Sequence, residues 1–233
     1  FAKYEIQKTS ITMGIFDLKS FILQQNTWGN RYLYRSFMDQ HKFALAADIG
    51  ILFENKITND IMIDFSITNG EGLFKTQSDK DFLYTFGSTI KLSDQVTVRL
   101  FGDYSYLKYK PVTLGSFIVL KPTENLLLCG EYNYKQNQAN KEDNNLAGLS
   151  TYAKYTVDKQ VNVFARFDKL WSNTIDGTVG PWNKAKDGQA IIAGVEFSPV
   201  KNLKIAANYQ NWMYDDSSIE TNHVLGLFAE IKF

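Results

Sequence analysis

The side chains that could carry acid–base or nucleophilic chemistry are few in this sequence. Its 233 residues include two histidines, His41 and His223, and one cysteine, Cys129. A single cysteine excludes an internal disulfide and a cysteine-based zinc cluster. Ser217 and Ser218 lie shortly before His223, so a serine nucleophile with a histidine base is the one hydrolytic pair that the spacing allows. Serine-rich loops are common, so this pair is a weak indication of catalysis.

Metal and phosphate chemistry is equally sparse. The adjacent carboxylates Glu142 and Asp143, and likewise Asp215 and Asp216, lack the alternating ligand spacing of a dedicated calcium site. The glycines of NGEG at 69–72 are followed by neither a P-loop lysine nor a helical pattern, so they predict a turn. We therefore predict no catalytic residue, no metal site and no cofactor.

The charge balance and composition narrow the class of protein. Twenty-five basic residues offset 25 acidic ones, so nucleic acid is not an expected partner. The chain is 44% hydrophobic and 15% aromatic, which predicts a folded protein rich in strands. No stretch approaches the roughly 18 consecutive apolar residues of a membrane helix. Strands of a transmembrane barrel would escape this test, because they alternate lipid-facing and lumen-facing side chains.

Hydrophobicity alternates with a period of two through most of the chain. In NLKIAANY (202–209), Leu203 and Ile205 fall on one face, and Lys204 and Asn208 fall on the other. Each such segment therefore predicts a strand with one apolar side and one polar side. The same split recurs at 59–67, 95–103 and 160–168.

The sequence predicts an all-β fold with about 12 legible strands. Most are close to the ~9 to 11 residues that a tilted strand needs to cross a bilayer. Tight turns alternate strictly with longer polar connections, as short periplasmic turns and longer extracellular loops do in bacterial outer-membrane proteins. We therefore predict a transmembrane antiparallel β-barrel. The predicted strands lie near 10–16, 42–54, 59–68, 81–92, 95–107, 114–121, 125–136, 145–157, 160–170, 188–198, 202–213 and 222–233.

A soluble antiparallel sandwich or a lipocalin-like barrel is the alternative fold. Both also alternate with period two and use short hairpins. Neither has a reason to place every long connection on one side. The final segment LGLFAEIKF also ends on Phe233, which resembles the closing strand of outer-membrane proteins.

The N-terminal segment predicts a strand of its own. Tyr4 and Ile6 are even-numbered apolar residues, whereas Ile11 and Met13 are odd-numbered, so a turn is expected near positions 8–10. Residues before that turn would be the tail of a preceding strand. Because such barrels nearly always have an even number of strands, we expect upstream strands and a total of about 12 to 16. Residues 1–233 are then one barrel domain.

Charged residues of both signs fall on the predicted inner face. They either line a channel or form an ion-pair lattice that braces the wall, and Arg166 and Asp168, two apart on one strand, must share a face. A phosphate-selective channel would need a ladder of guanidinium groups, and the sequence has only four arginines, so weak selectivity is expected. The candidate pore-lining residues are Arg99, Asp103, Glu131, Lys154, Arg166, Asp168, Glu196 and Lys204.

The first long connection, residues 17–41, is the one place where the sequence predicts a helix. NRYLYRSFMDQH (30–41) spaces Arg31 and Arg35 four apart, on one helical face. Such a helix could fold inward as a constriction whose two arginines narrow and polarise the entrance. Alternatively, its aromatic side chains pack the connection onto the rim.

Several stretches resemble the porin-type outer-membrane proteins of the Bacteroidetes, a group related in fold to the phosphate-selective porin O and P family. The likeness covers most of the chain from Ser10 onward. It implies passive uptake across the outer membrane of a Gram-negative bacterium, without enzymatic activity. The stretches are WGNRYLYRSF (28–37), ADIG (47–50), TNGEGLF (68–74), ARFDKLWSN (165–173) and WNKAKDGQAIIAGVEFSPVKNLKIAANYQNW (182–212).

Three functions stay open on the sequence. The favoured one is a porin that forms a passive, weakly selective diffusion channel for small hydrophilic solutes or ions. An accessory barrel with a plugged lumen, docked to other envelope proteins, would show the same strands. An outer-membrane lipid hydrolase would need the weak serine–histidine pair. Expected partners are outer-membrane lipid and lipopolysaccharide, small solutes, and a homo-trimer or other outer-membrane proteins.

Overall fold

The computed structural model describes residues 1–73, 75–78 and 80–232. In this part of the chain, 13 strands form one antiparallel sheet in which each strand pairs with its neighbours in sequence, so β1 and β13 are the two edges. The all-β antiparallel prediction is confirmed. The strands are β1 Ala2–Ile6, β2 Thr9–Asp17, β3 Ala47–Lys56, β4 Ile61–Thr68, β5 Leu83–Lys91, β6 Val96–Ser105, β7 Val112–Thr123, β8 Leu126–Gln136, β9 Leu146–Thr156, β10 Val161–Ser172, β11 Gly188–Phe197, β12 Leu203–Tyr214 and β13 Asn222–Ile231.

The connections divide the sheet into two ends, as the sequence predicts. Every odd-numbered strand except β13 runs into a short turn of two to five residues, at 7–8, 57–60, 92–95, 124–125, 157–160 and 198–202. The other end carries the longer connections. We call these the short-turn end and the long-loop end. The long connections are 18–46, 69–82, 106–111, 137–145, 173–187 and 215–221.

The two faces of the sheet differ in polarity. On β12, Lys204, Ala206 and Asn208 point to the face that we call inner, and Ile205 and Tyr209 point to the outer face. Apolar side chains on the outer face stay exposed, for example 44% of Ile191 and 47% of Val195. Such a face is unusual on a soluble protein and is the side that a barrel turns to lipid.

Two α-helices interrupt the strands in the described part of the chain, both between β2 and β3, and a 3₁₀ helix, Gln138–Asn140, lies between β8 and β9. The two α-helices are α1, Lys19–Trp28, and α2, Phe37–His41. The helix predicted over 30–41 is confirmed only over its last five residues, which form α2, because residues 29–36 are a non-helical connection between the two helices. Gly29 ends α1 in the left-handed conformation, with φ 66°, the usual role of glycine just past a helix. Among the described residues, neither helix is long and apolar enough to cross a membrane.

The predicted strand bounds lie within two residues of the observed ones, with one exception. The predicted strand 42–54 begins only at Ala47, since residues 42–46 belong to the preceding connection. The segment before the first turn is a true strand, β1, which pairs with β2 across a turn where Gln7 takes a φ of 51°. The terminal Phe233 and the end of the stretch 68–74 lie outside the described residues.

The buried core lies between the inner face and residues 18–46, which we call the inner loop. Its ends meet at the long-loop end, where the Leu18 amide donates to the Ala46 carbonyl at 2.9 Å. Between these points the inner loop packs against strands from β3 to β12. Its buried apolar side chains are Leu18, Phe21, Trp28, Leu33, Phe37, Met38 and Phe43.

Candidate functional site

The inner face brings together all eight candidate pore-lining residues. Strand alternation directs each of them to the side that the inner loop covers. Six are buried, and Lys154 and Lys204 are half-buried. The residues lie on β6 (Arg99, Asp103), β8 (Glu131), β9 (Lys154), β10 (Arg166, Asp168), β11 (Glu196) and β12 (Lys204).

Arg99 forms a buried ion pair across two strands. Its guanidinium donates to both oxygens of Asp64 on β4, at 2.8 and 3.0 Å, and to the Thr89 hydroxyl at 2.9 Å. Gly87 on the intervening strand makes room, because a Cβ there would lie 2.3 Å from Arg99 Nη2. The side chains of Arg99 and Asp64 are each 2% exposed, so this pair braces the wall and is not free for a solute.

Arg166 links the wall to the inner loop. Its Nε and Nη2 donate to the two oxygens of Asp168, at 2.8 and 2.7 Å, and its Nη1 donates to the Arg35 carbonyl at 2.9 Å. The guanidinium also lies over the rings of Trp28 and Tyr34, 4.9 and 5.4 Å from their centroids. The shared face of Arg166 and Asp168 thus serves to hold the inner loop in place.

Two lysines bind the turn of the inner loop that lies nearest the short-turn end, which we call its lower turn; its upper end is the part near the long-loop end. Lys154 donates to the Trp28 carbonyl at 3.3 Å and to Asn30 Oδ1 at 2.9 Å, and Lys204 donates to the Gly29 carbonyl at 3.2 Å. Both lysines lie close to the short-turn end of their strands. The inner loop therefore runs from the long-loop end nearly to the opposite end of the sheet.

Glu196 completes this lower cluster. It accepts a hydrogen bond from the Tyr32 hydroxyl at 2.9 Å, and Lys204 Nζ lies 3.4 Å from it. Burial, together with this bond to a carboxylate, raises the pKa of Tyr32. Tyr32 thus stays protonated and donates a hydrogen bond to Glu196 at physiological pH.

Two acidic residues nearer the long-loop end have neutral partners. Asp103 accepts from the Thr113 amide at 3.1 Å, and Glu131 accepts from the Asn133 amide nitrogen at 2.7 Å. Beside Asp103, Lys135 donates to the Phe43 carbonyl at 3.1 Å. Lys135 therefore holds the upper end of the inner loop as Lys154 and Lys204 hold its lower turn.

Aromatic packing fills the space between these polar contacts. Trp28 meets Tyr152 and Phe164 edge to face, with centroids 5.2 and 5.8 Å apart. Its indole nitrogen donates to the Tyr34 carbonyl at 2.7 Å. Sequence reasoning missed the role of Trp28 as an anchor, and the only signal was the density of aromatic residues in residues 17–41.

His41 is half-buried where the inner loop approaches the long-loop end. Its ring centroid lies 4.6 Å from that of Phe37 and 4.9 Å from that of Trp212. Burial lowers the pKa of His41 to about 4, and the Arg166 charge acts in the same direction, whereas Asp168 acts against it. Burial also raises the pKa of the neighbouring Tyr34 to about 12, and the Asp168 charge adds to this increase. The ring of His41 is therefore neutral at pH 7.

Arg31 and Arg35 lie apart from this buried network. They are 49% and 62% exposed, and both turn toward Asp39, with Nη to Oδ distances of 3.1 and 3.9 Å. They occupy turns and not a helical face, yet they lie close enough to share one carboxylate. The segment has folded against the inner face, and these two guanidinium groups are on its solvent side.

Two cavities flank the inner loop. One of about 350 Å³ lies beside α1 near the short-turn end, and one of about 320 Å³ lies beside α2 near the long-loop end. The lower cavity is lined by Asn26, Thr27, Asp94, Gln95 and Lys121, among others. The upper cavity is lined by Tyr34, Gln40, His41, Trp212, Tyr214 and Asn222, among others.

The serine and histidine side chains considered for hydrolysis are not arranged as a catalytic pair. His223 shares a hydrogen bond of 2.7 Å with the Tyr209 hydroxyl, and Ser218 donates to Asp216 at 2.7 Å. Within residues 1–73, 75–78 and 80–232, no group of three or more metal-ligating side chains comes together.

Comparison with solved structures places this geometry among known channels. The outer membrane channel DcaP of Acinetobacter baumannii is similar over 97% of this chain and 72% of its own, with a TM-score of 0.70 at 12% identity. The fold is that of an outer-membrane β-barrel. OmpF of Salmonella typhi, solved with daunomycin, matches 95% of this chain and 74% of its own, with a TM-score of 0.70 at 12% identity.

A third similar structure is OccD3 of Pseudomonas aeruginosa, at a TM-score of 0.59 and 11% identity. It is matched over 95% of this chain and 64% of its own length. No family model and no curated protein sequence matches the chain. The resemblance to Bacteroidetes proteins and to the phosphate-selective porin O and P family therefore stays a prediction.

Proposed function

We propose that the protein is an outer-membrane porin of a Gram-negative bacterium that forms a passive, weakly selective diffusion channel for small hydrophilic solutes or ions. The observation that carries this proposal is the combination of an apolar outer face with an inner face on which a charged loop is folded. A barrel turned to lipid needs the first feature, and a pore of controlled width needs the second. The fold shared with outer-membrane channels supports it.

Weak selectivity is proposed because three basic residues of the inner face form ion pairs, and the charges bonded to neutral partners balance in sign, with Asp103 and Glu131 against Lys135 and Lys154. Arg99 is paired with Asp64, Arg166 with Asp168, and Lys204 with Glu196. A permeating ion would meet few uncompensated charges on the wall. The exposed Arg31 and Arg35 are the proposed constriction residues, because they are the guanidinium groups on the solvent side of the inner loop.

Single-channel conductance of the full-length protein in a planar bilayer under a salt gradient tests the proposal. We expect steady ohmic openings with a reversal potential near zero. Arg31→Ala with Arg35→Ala should raise the conductance and shift the reversal potential toward cation preference. Lys108→Ala with Lys110→Ala, which removes two exposed charges from a different long loop, is the matched control. If both double variants behave like the unmodified protein, Arg31 and Arg35 are not the constriction.

An accessory barrel with a plugged lumen is the second candidate, and the anchoring of the inner loop favours it. Four cationic side chains, Lys135, Lys154, Arg166 and Lys204, donate to its backbone carbonyls. Replacing residues 20–44 by a short Gly-Ser linker is feasible because Leu18 and Ala46 are hydrogen-bonded neighbours. A silent intact protein that conducts only after this replacement would establish the plugged barrel and overturn the open porin.

The proposed surroundings follow from the same faces. Outer-membrane lipid and lipopolysaccharide would contact the apolar outer face, and a homo-trimer or a complex with other outer-membrane proteins would use part of it. Sedimentation of the purified protein in detergent distinguishes a single chain from an assembly. No feature of the described residues supports a lipid hydrolase.

A further inference from the structure

The upper cavity lies between the inner loop and the last two strands. On β12, Trp212 and Tyr214 alternate onto the inner face, and the strand register sets Asn222 of β13 directly opposite Trp212. The inner loop supplies another wall through Tyr34 and Gln40. The volume of about 320 Å³ is near the lower end of the range of roughly 300 to 1,000 Å³ for small-molecule sites. The cavity therefore has room for one small ring.

Several polar side chains that line the upper cavity have no partner in the protein. The side-chain amides of Gln40 and Asn222 and the hydroxyl of Tyr214 make no hydrogen bond with any residue that the structure describes. The Nε2 atom of His41 is buried and is also without a hydrogen-bond partner there. Amide, hydroxyl and neutral imidazole groups each offer both a donor and an acceptor. They therefore suit a ligand whose own groups do both, as the hydroxyls of a sugar do.

Aromatic rings form the apolar part of the lining. Trp212, Tyr34 and Tyr214 are half-buried, so part of each ring stays accessible. The centroid of the Trp212 ring lies 4.9 Å from that of His41, and the Arg166 guanidinium lies 5.4 Å from the centroid of Tyr34. These contacts hold the two rings in place. The negative face of an aromatic ring attracts the weakly positive C–H groups on the apolar side of a pyranose ring.

The charge of the lining argues against ionic ligands. Among the described residues that line the upper cavity, none is acidic, and one, the exposed Lys186, is a basic side chain. The acidic neighbours in sequence are paired elsewhere, Asp39 with Arg31 and Asp215 with Lys169. A cationic solute would therefore meet no counter-charge, and a single exposed ammonium group gives little hold on a polyanion. An uncharged ligand rich in hydroxyls fits this lining best.

We propose that the upper cavity binds an uncharged pyranose sugar, with the apolar side of the sugar against Trp212 and its hydroxyls hydrogen-bonded to Gln40 and Asn222. The proposal names a solute class for the proposed porin, and it rests on that function because the sugar reaches the cavity from the long-loop end. Weak selectivity among ions is consistent with such a site, since recognition by rings and amides does not depend on the charge of the solute. A bound sugar would bridge the inner loop and the last two strands.

Saturation-transfer NMR of the full-length protein in detergent tests the site, with methyl β-D-glucopyranoside as the probe. We expect this glucoside to bind saturably, with its ring protons receiving the strongest transfer from the protein. Sorbitol, which carries similar hydroxyls on an open chain, should bind about fivefold more weakly because it has no ring face to stack. Equal binding of sorbitol, or tighter binding of the cationic L-arginine, would overturn the proposal.

Removing the two amides tests the hydrogen bonds. Gln40→Ala with Asn222→Ala should weaken binding of the glucoside about 25-fold, since each lost hydrogen bond contributes about fivefold. Both residues are exposed and bond to no described residue, so their loss should leave the fold intact. Gln136→Ala with Asn125→Ala removes two exposed amides from the two ends of β8 and is the matched control. Equal affinity in the two double variants would show that the cavity is not the site.

Replacing the ring tests stacking. Trp212→Phe keeps an aromatic face and should bind the glucoside nearly as well as the unmodified protein, whereas Trp212→Leu should bind it about fivefold more weakly. Equal binding by these two variants would contradict the stacked geometry. Binding is measured without a membrane, and conductance is measured separately. A silent barrel that binds the glucoside would overturn the porin proposal alone, and a conducting barrel that does not bind it would overturn the sugar site alone.

Discussion

Individual buried charges on the inner face affect the stability of the sheet. Arg99 and Asp64 satisfy each other through two hydrogen bonds in a space that Gly87 leaves open. A buried ion pair adds little net stability compared with apolar packing. Removing one partner, however, leaves the other charge buried and unpaired in a medium of low polarity.

Asp64→Ala should lower the free energy of unfolding by about 3 to 5 kcal/mol, because it leaves the Arg99 guanidinium unpaired. Urea unfolding in lipid vesicles, followed by tryptophan fluorescence, measures this loss. Asp64→Leu with Arg99→Met removes both charges and should recover most of it. If the double replacement is as unstable as Asp64→Ala, the unpaired charge is not the cause.

His41 makes stability depend on pH in a defined direction. Its pKa is lowered to about 4, whereas an unfolded histidine titrates near pH 6.5. At a pH between these two pKa values, His41 is protonated in the unfolded chain and neutral in the folded protein. Stability should therefore be complete above pH 6.5 and fall by about 1.4 kcal/mol per unit as the pH drops toward 4. His41→Gln should flatten this slope, and the control His223→Gln should not.

At the scale of the element, the inner loop fits the sheet through glycines on the inner face. A Cβ on Gly148 of β9 would lie 2.3 Å from Phe37 Cζ. Phe37 in turn stacks on Phe43, with centroids 5.7 Å apart. The absence of one side chain on a strand therefore determines how closely α2 can approach.

Gly148→Ala should push Phe37 away and cost about 1 to 3 kcal/mol, the usual range for an overfilled core. Hydrogen exchange of the Phe43 amide, which donates to the Met38 carbonyl at 3.0 Å, should accelerate as α2 loosens. Gly130→Ala on the outer face meets only Ile118 Cγ2, at 3.3 Å, and serves as the control. Unchanged exchange in Gly148→Ala would show that α2 adapts without loosening.

The sequence predicts the strands far better than the inner loop. Strands such as β10 and β12 alternate because one face meets an apolar medium and the other does not, and that contrast is visible residue by residue. α1 escapes notice because its buried side includes Ser20 and Gln24, and because neither end carries charged residues that suit a helix dipole. Gly29 precedes the helix predicted over 30–41, whereas in the structure it ends α1.

The sequence predicts which residues lie on the inner face, but it does not predict what each of them binds. Alternation alone assigns Arg166, Lys154 and Lys204 to the inner face. Their hydrogen bonds go to carbonyls of Arg35, Trp28 and Gly29, which are more than 120 positions away in sequence. Local pattern carries no information about such contacts, so a lysine that holds a loop and a lysine that lines a channel look alike.

At the scale of the whole molecule, the alternation of turn lengths predicts an orientation in the outer membrane. The short turns lie at one end of the sheet and the long connections lie at the other. In outer-membrane barrels the long connections face outward, because short turns enter the periplasm.

Cysteine labelling on intact cells tests this orientation. With the buried Cys129 replaced by alanine, Ser217→Cys in a long connection should react with an impermeant maleimide. Lys159→Cys in a short turn should react only after the outer membrane is permeabilised. Both positions are exposed, so access and not burial decides the result. Labelling of Lys159→Cys on intact cells would reverse the orientation.

The inner loop also constrains the order of events during folding. Its residues come early in the sequence, yet the Gly29 carbonyl accepts a hydrogen bond from Lys204, which lies 175 positions later. Contacts of such large sequence separation form last, because closing a long segment is entropically costly and slow. We therefore expect the sheet to assemble first, with its inner face open to solvent, and residues 18–46 to pack against that face last. On this order the inner face is unobstructed once in the folding of each molecule, whatever the conductance of the finished protein.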